Sequence, residues 1–205
     1  MAEPIAVAAH AVNLSGIHPG ESALVVGAGM VGTFVIQLLK IAGAEPVFAL
    51  DTDAKKRELA VKAGAGFSFD PSDKSTADKI KKLTKNRGTD FGFEVVGKSK
   101  SVNTCIGNIR KGGTAVLVGN LSPEIQFPLQ QVVTREIKVQ GSCAINGEYE
   151  MVLDLLSSGK INADLILSAV APLSEGAKWF HRLYNKEPGL NKVVLIPDKE
   201  FKPDK

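Results

Sequence analysis

The chain contains 205 residues, 44% of them hydrophobic, and carries a formal net charge of +3 with acidic and basic side chains interspersed. No single-sign field is available to hold a polyanion, so nucleic acid is not expected as a partner. The two cysteines, Cys105 and Cys143, form no Cys-x-x-Cys pair, which favours a cytoplasmic location, and no apolar run is long enough for a membrane span.

Helical and extended patterns alternate along the chain. The first helix begins at Pro4 and ends before Gly16, and Asp53 is placed to cap the third helix. The predicted strands cover residues 22–26, 46–50, 66–69, 90–96, 113–118, 136–141 and 193–196. The predicted helices cover residues 4–15, 31–42, 54–63, 99–109, 129–134, 148–157 and 177–184, with a basic amphipathic helix beginning near residue 75. This alternation predicts an α/β fold with a doubly wound parallel sheet, the Rossmann arrangement.

Two local patterns add detail to this outline. Ser75, with Asp78 three residues later, resembles a capping box at the start of the basic helix. The segment Lys111-Gly112-Gly113 is typical of a turn, which we expect to separate the fifth strand from the helix before it.

A glycine-rich hexapeptide carries the strongest functional signal. Gly27-Ala28-Gly29-Met30-Val31-Gly32 follows a buried strand directly and opens a helix directly. Gly27 permits a tight turn, Gly29 lets the backbone approach a pyrophosphate, and Gly32 lets the helix pack closely on the strand. The free amides at the start of the helix would then face the diphosphate of a dinucleotide.

An acidic residue completes this fingerprint. Asp51 ends the second strand, nineteen residues after Gly32. Its carboxylate can accept hydrogen bonds from both hydroxyls of the adenosine ribose and would repel a 2′-phosphate, which favours NAD over NADP. The structural alternative is an ordinary glycine turn beside a helix-capping acid.

Three functional classes share these features. A short-chain dehydrogenase needs Tyr-x-x-x-Lys, but Tyr149 and Tyr184 are followed four residues later by Leu153 and Pro188. A Rossmann-type methyltransferase binding S-adenosylmethionine stays open, although it usually has a looser glycine motif and an antiparallel late strand. A non-catalytic NAD-binding module is the remaining alternative.

Several landmarks together resemble one family of enzymes. The segments Glu3-Pro4-Ile5 through His10-Ala11-Val12, Val25 to Gly32, Ala63-Gly64-Ala65, Gly112-Gly113-Thr114 and Val118-Gly119 are similar to the cofactor domain of zinc-containing medium-chain alcohol and polyol dehydrogenases. The branch of sorbitol and galactitol-phosphate dehydrogenases is the nearest. The resemblance covers nearly the whole chain.

The resemblance implies that different parts of this chain have different roles within a longer enzyme. Residues 1–19 would be a linking helix from a missing catalytic domain, residues 20–160 the NAD-binding domain, and residues 161–205 a C-terminal segment that packs toward the catalytic domain. Zinc would be bound in the full-length enzyme only, the substrate would be a small alcohol or polyol, and the assembly a homodimer or homotetramer. This chain alone would contain no catalytic residue.

The resemblance also assigns roles to individual positions. Asp51 and Lys56 would hold the adenosine ribose, and the backbone of Gly29, Met30, Val31 and Gly32 the pyrophosphate. The adenine and nicotinamide ends would be lined by residues after the fourth and fifth strands, Val96, Gly97, Val118 and Gly119. Ser142 and Cys143 would lie near the nicotinamide carboxamide. Glu3 matches a glutamate at the catalytic zinc, but a lone carboxylate cannot build a metal site, and charge at a helix N-terminus is its alternative role.

Overall fold

The computed structural model describes residues 1–200 of the chain. These residues divide into two compact units, Met1–Asn162 and a second unit that begins at Ala163. Each unit is described separately below. Among residues 1–200, no helix is both long and apolar enough to cross a membrane.

The first unit alternates helices and strands along its whole length. Its helices are α1 (Ala2–Ser15), α2 (Met30–Ile41), α3 (Ala54–Lys62), α4 (Thr76–Leu83), α5 (Ser99–Asn108), α6 (Leu129–Thr134) and α7 (Tyr149–Ser157). Its strands are β1 (Ala23–Val26), β2 (Val47–Leu50), β3 (Phe67–Phe69), β4 (Thr89–Glu94), β5 (Ile109–Leu117) and β6 (Lys138–Gly141). Gly16 ends α1 with a left-handed φ of 67°, and Asp53 caps α3 by accepting a hydrogen bond from the Lys55 amide, as predicted.

The six strands form one sheet in the order β3-β2-β1-β4-β5-β6, and every neighbouring pair is parallel. The strand order reverses between β1 and β4. This is the doubly wound Rossmann arrangement that the sequence predicts, and the reversal opens a crevice at the carboxyl ends of these two strands.

The central strands are buried because both of their faces are apolar. All four residues of β1 and all four of β2 are buried. Leu24 and Phe48 join a cluster with Ile80 of α4 and Ile106 of α5, and the Phe48 ring stacks on Phe67 at 5.3 Å between centroids. A strand covered by helices on both sides requires a continuous apolar run, which explains why these two strands can be predicted from the sequence.

Two local predictions are wrong. The Ser75 side chain does not cap α4, because its hydroxyl and its amide both donate to Asp73 Oδ1, at 2.8 and 2.9 Å. Gly112 does not precede the fifth strand, because β5 already begins at Ile109. The glycine instead bulges within β5 at a φ of 71°, where its amide donates to the Arg135 carbonyl at 2.8 Å.

The second unit contains a strand that the sequence pattern did not reveal. Strand β7 (Leu167–Pro172) pairs in parallel with β8 (Lys192–Ile196), and between them lie a short 3-10 turn (Leu173–Glu175) and helix α8 (Gly176–Tyr184). Ser168 and the terminal Pro172 obscure the apolar character of β7. Residues 201–205, part of the predicted C-terminal segment, lie outside the described residues.

Candidate functional site

The glycine motif lies at the reversal of strand order, between the end of β1 and the start of α2. The Gly27 amide donates to the Leu50 carbonyl at 2.8 Å, and Gly27 has a φ of +98°, where a Cβ would also lie 2.6 Å from Val96 Cγ2. A Cβ on Gly32 would collide with the carbonyl oxygen of Gly27. These two glycines are therefore required by the close approach of helix and strand.

Gly29 differs from the other two glycines because the space beside it is open. A Cβ built at Gly29 has no heavy atom within 4 Å, and the residue precedes α2 in an extended conformation. Within residues 1–200, no side chain caps this end of α2. Free helix amides beneath an open space are suited to an anion, so the loop fits the pyrophosphate of a dinucleotide.

The Asp51 carboxylate is fixed to the glycine loop. Its Oδ2 accepts a hydrogen bond from the Ala28 amide at 2.9 Å, and its Oδ1 accepts one from the Asp53 amide at 2.9 Å. Each carboxylate oxygen has more than one acceptor position, so both can still accept hydrogen bonds from a ligand. Asp51 therefore combines a structural bond to the loop with free capacity for ribose hydroxyls.

A cleft of about 330 Å³ opens beside this carboxylate. Its lining comes from the ends of β1 and β2, from the loops after β1, β2, β3 and β4, and from helices α3 and α5. The lining residues are Val26, Gly27, Leu50, Asp51, Thr52, Lys56, Pro71, Val96, Lys98, Lys100, Ser101 and Thr104. Of the residues assigned by resemblance, Gly27, Asp51, Lys56 and Val96 thus share one cavity. Lysines 98 and 100, which the sequence analysis did not single out, add positive charge around Asp51.

Glu94 organises the loops that follow β4 and β5, and the sequence analysis missed it. This carboxylate is fully buried and accepts hydrogen bonds from the amides of Val96 at 3.0 Å and Gly97 at 2.9 Å. The Glu94 carbonyl accepts the amides of Val118 at 2.8 Å and Gly119 at 3.0 Å. The available signal was an acid in the apolar stretch from Phe91 to Val96, three residues before Gly97.

Gly97 and Gly119 lie against each other. A Cβ on Gly119 would collide with the Gly97 backbone, and a Cβ on Gly97 would lie 2.5 Å from the Asn120 amide nitrogen. The two loops therefore pack backbone to backbone. Any side chain at either position would separate the two loops.

The remaining predicted cofactor residues lie outside the cleft lining. The Ser142 amide donates to the Leu117 carbonyl at 2.9 Å, while its buried hydroxyl has no hydrogen-bond partner among the described residues. Cys143 is an exposed free thiol. Cys105 is a buried residue of α5. Burial and the charge of Glu94 raise the pKa of its thiol. Ser142 and Cys143 follow β6 at the same edge of the sheet as the glycine loop.

The proposed metal residue stands by itself. Glu3 is exposed in the first turn of α1, and residues 1–200 contain no group of three or more His, Cys, Asp or Glu side chains that could hold a metal ion. His10 Nδ1 instead lies 2.8 Å from Glu148 Oε1, which joins α1 to the start of α7. Burial raises the pKa of Glu148, but hydrogen bonds from the Asn146 amide and His10 outweigh burial and lower the pKa.

Comparisons with known proteins agree with this geometry. A family model described as zinc-binding dehydrogenase matches residues 30–158. D-xylulose reductase A of Aspergillus niger is 33% identical over 186 residues, which cover 88% of this chain and 52% of that protein. The chain spans about half the length of the curated relatives it matches.

Two solved structures extend the similarity to the fold. L-idonate 5-dehydrogenase of Escherichia coli is 30% identical with a TM-score of 0.88, covering 95% of this chain and 55% of that one. A protein of Sinorhizobium meliloti bound to NADP is 29% identical with a TM-score of 0.85, covering 96% of this chain and 58% of that one. The two solved structures therefore match nearly the whole length of this chain.

The glycine loop yields a matched pair of variants. We predict that Gly32→Ala lowers the free energy of unfolding by about 2 kcal/mol or more, because the added methyl group forces α2 away from Gly27. Gly29→Ala adds the same methyl group into open space and should leave stability nearly unchanged. Thermal unfolding followed by circular dichroism measures both, with an expected decrease of about 4–8 °C for Gly32→Ala. Equal melting temperatures for the two variants would contradict the predicted contact.

Proposed function

Because this chain belongs to the zinc-binding dehydrogenase family, we propose that it binds NAD and serves as the cofactor-binding part of an alcohol or polyol dehydrogenase. The observation that carries this proposal is the Asp51 carboxylate, fixed to the Ala28 amide at the edge of the cleft. At this position it combines the two requirements of an NAD site, a stable glycine loop and an acceptor for ribose hydroxyls.

The adenosine half of NAD would occupy the cleft beside Asp51. The carboxylate accepts hydrogen bonds from the 2′- and 3′-hydroxyls and disfavours a phosphate at the 2′ position by charge repulsion. Lys56 lines the same cleft and is proposed to contact the ribose from the first turn of α3. The pyrophosphate would lie over Gly29, where the amides of Met30 and Val31 begin α2.

The nicotinamide half would extend toward the loops that Glu94 holds. The backbones of Val96, Gly97, Val118 and Gly119 are proposed to line this end, and Ser142 and Cys143 to lie beside the carboxamide. The unpartnered buried hydroxyl of Ser142 supports this assignment, because a buried polar atom without a protein partner is suited to a polar ligand group.

The substrate class follows from the relatives. Their names refer to D-xylulose and to L-idonate, which are polyhydroxylated compounds. We propose that the enzyme to which this chain contributes transfers hydride from a secondary alcohol of such a compound to the nicotinamide ring. Zinc, when bound in such an enzyme, polarises the alcohol oxygen.

The described residues do not fit a zinc site. Glu3 is one exposed carboxylate, and catalytic zinc sites use three protein ligands and an open position. We therefore propose that zinc is bound only in the full-length enzyme, where Glu3 would supply at most one ligand. Within this chain the site residues bind and orient the cofactor, and none is assigned a catalytic role.

The methyltransferase alternative is less well supported. Its fold usually carries an antiparallel strand late in the sheet, whereas β6 pairs in parallel with β5. A non-catalytic NAD-binding module would use the same cleft. Only the family membership favours the dehydrogenase.

We predict that the purified chain binds NAD more tightly than NADP. Asp51 accepts the ribose hydroxyls of NAD but repels the 2′-phosphate of NADP, so Asp51→Ser should narrow the difference by about tenfold. Calorimetric titration with both cofactors measures the difference between the two dissociation constants. Gly29→Ala is the control for the pyrophosphate contact, because it should weaken both cofactors equally. Preference of the wild-type chain for NADP would refute the assignment.

We also predict that this chain does not oxidise polyols, with or without added zinc. Hydride transfer needs the alcohol deprotonated and held against the nicotinamide, and the described residues offer no set of metal ligands for that task. The assay follows NADH absorbance, at about 340 nm, with sorbitol, galactitol 1-phosphate and a simple secondary alcohol. Zinc-dependent turnover would show that a metal site exists and would contradict this prediction.

The exposed edge of the sheet supports a proposal about assembly. All four residues of β6 are exposed, and α6 immediately before it exposes Leu129 by 64% and Val133 by 65%. A strand at the edge of a sheet is usually covered along its unpaired side, and a second copy of the chain would cover β6 symmetrically.

We predict a dimer or larger oligomer that forms through β6 and the segment after Gly141. Light scattering at about 50 µM measures the mass, and Val133→Glu should shift it toward the monomer by placing charge in the contact. A wild-type chain that is only monomeric at this concentration would argue against the proposal.

A further inference from the structure

Two aspartates follow the ends of the neighbouring strands β2 and β3. In the paired register Leu50 faces Phe69, so Asp51 and Asp70 are the next residues on neighbouring strands, and the Asp51 amide reaches the Phe69 carbonyl at 3.4 Å. Asp51 lines the cleft. Asp70 does not, although the next residue, Pro71, does.

An arginine connects this pair of strand ends. Arg57, in the first turn of α3, donates from Nη1 to the carbonyls of Asp51 at 2.8 Å and Thr52 at 3.0 Å. The same nitrogen lies 3.3 Å from Asp70 Oδ2. Its guanidinium is thus held next to the backbone of the ribose-binding residue, yet Arg57 is not among the residues that line the cleft.

Asp70 is itself held in a fixed and charged state. Its Oδ1 accepts hydrogen bonds from the Ser72 hydroxyl at 2.6 Å and the Ser72 amide at 2.8 Å. These bonds, together with the charge of Arg57, keep the pKa of Asp70 below its ordinary value. At neutral pH the guanidinium therefore always faces an ionised partner.

We infer that Asp70 is a second determinant of cofactor choice, which acts by holding Arg57 away from the position of a 2′-phosphate. The inference rests on the proposed function, because it assumes that the adenosine ribose lies on Asp51. A guanidinium is the group best suited to bind a 2′-phosphate, through paired charge-assisted hydrogen bonds. Asp51 repels that phosphate, and Asp70 restrains the arginine that would otherwise compensate. Asp70 is a positioning residue and does not touch the cofactor.

The geometry predicts that the two aspartates act together. Replacing Asp51 alone removes the repulsion but leaves Arg57 bound to Asp70. Replacing Asp70 alone removes the only charged one of the three acceptors of Arg57 Nη1, and it leaves the repulsion in place. Replacing both should allow Arg57 to pair with the phosphate, so the effect of the double variant on NADP binding should exceed the two single effects combined.

The test compares dissociation constants for NAD and NADP in five forms of the 205-residue chain. These are the wild type, Asp51→Ser, Asp70→Asn, the double variant, and the double variant with Arg57→Met. We expect the double variant to bind NADP about tenfold more tightly than Asp51→Ser does. Adding Arg57→Met should abolish this gain, and NAD affinity should stay the same between Asp51→Ser and the double variant.

The Arg57→Met background separates a specific effect from a general one. Removing the charge of Asp70 makes the whole region less negative, which could favour any phosphate without involving Arg57. A gain in NADP affinity that persists with methionine at position 57 would overturn the inference, and so would a double variant no better than Asp51→Ser. Lys56 is present in all five forms, so its contribution cancels.

Two controls keep the outcomes distinct. Asparagine at position 70 retains an acceptor for Ser72, so Asp70→Asn should leave the fold intact. Thermal unfolding of this variant checks that its melting temperature is unchanged. If asparagine lowers the melting temperature, Asp70→Ser is the substitute variant. A wild-type chain that binds neither cofactor would refute the proposed function, and the inference with it. A wild-type chain that prefers NAD, without an Arg57-dependent gain in the double variant, would refute the inference alone.

Discussion

The close approach of α2 to the end of β1 is the constraint on which the rest of the site depends. The Gly27 carbonyl occupies the place where any other residue at position 32 would put its Cβ. Because the helix lies this near the sheet, its first amides face the crevice where the strand order reverses, rather than solvent at the periphery. The position of the Ala28 amide follows from the same approach, and with it the bond that fixes Asp51.

Charge in the cleft is arranged around that fixed carboxylate. Three lysines line the cavity, which suits the proposed ligand with its two phosphates, and Asp51 places one negative charge where we propose that the neutral ribose hydroxyls lie. Arg57 and Asp70 lie just outside the lining and neutralise each other. This arrangement of charge suits the proposed binding of a diphosphate and the proposed local discrimination against an additional phosphate group.

How far the sequence predicts the molecule depends on how local each signal is. The glycine loop and Asp51 were predictable, because buried strands and tight turns leave marks within a few residues. The bonds of the Glu94 carbonyl to the loop after β5 and the contact of Arg57 with Asp70 were not, because they require the pairing of neighbouring strands. The capping box failed for a local reason, since the Ser75 hydroxyl donates to Asp73, two residues before the motif.

Glu94 has a consequence for the thermodynamics of binding. Its carboxylate and its carbonyl hold the loops after β4 and β5 through four backbone amides, and all four bonds are internal to the protein. The loops are therefore preorganised. A ligand that binds to them does not incur the entropic cost of ordering a mobile segment. The affinity of a ligand at this end of the crevice should therefore depend on the contacts it makes with the loops, and not on a choice among several loop conformations.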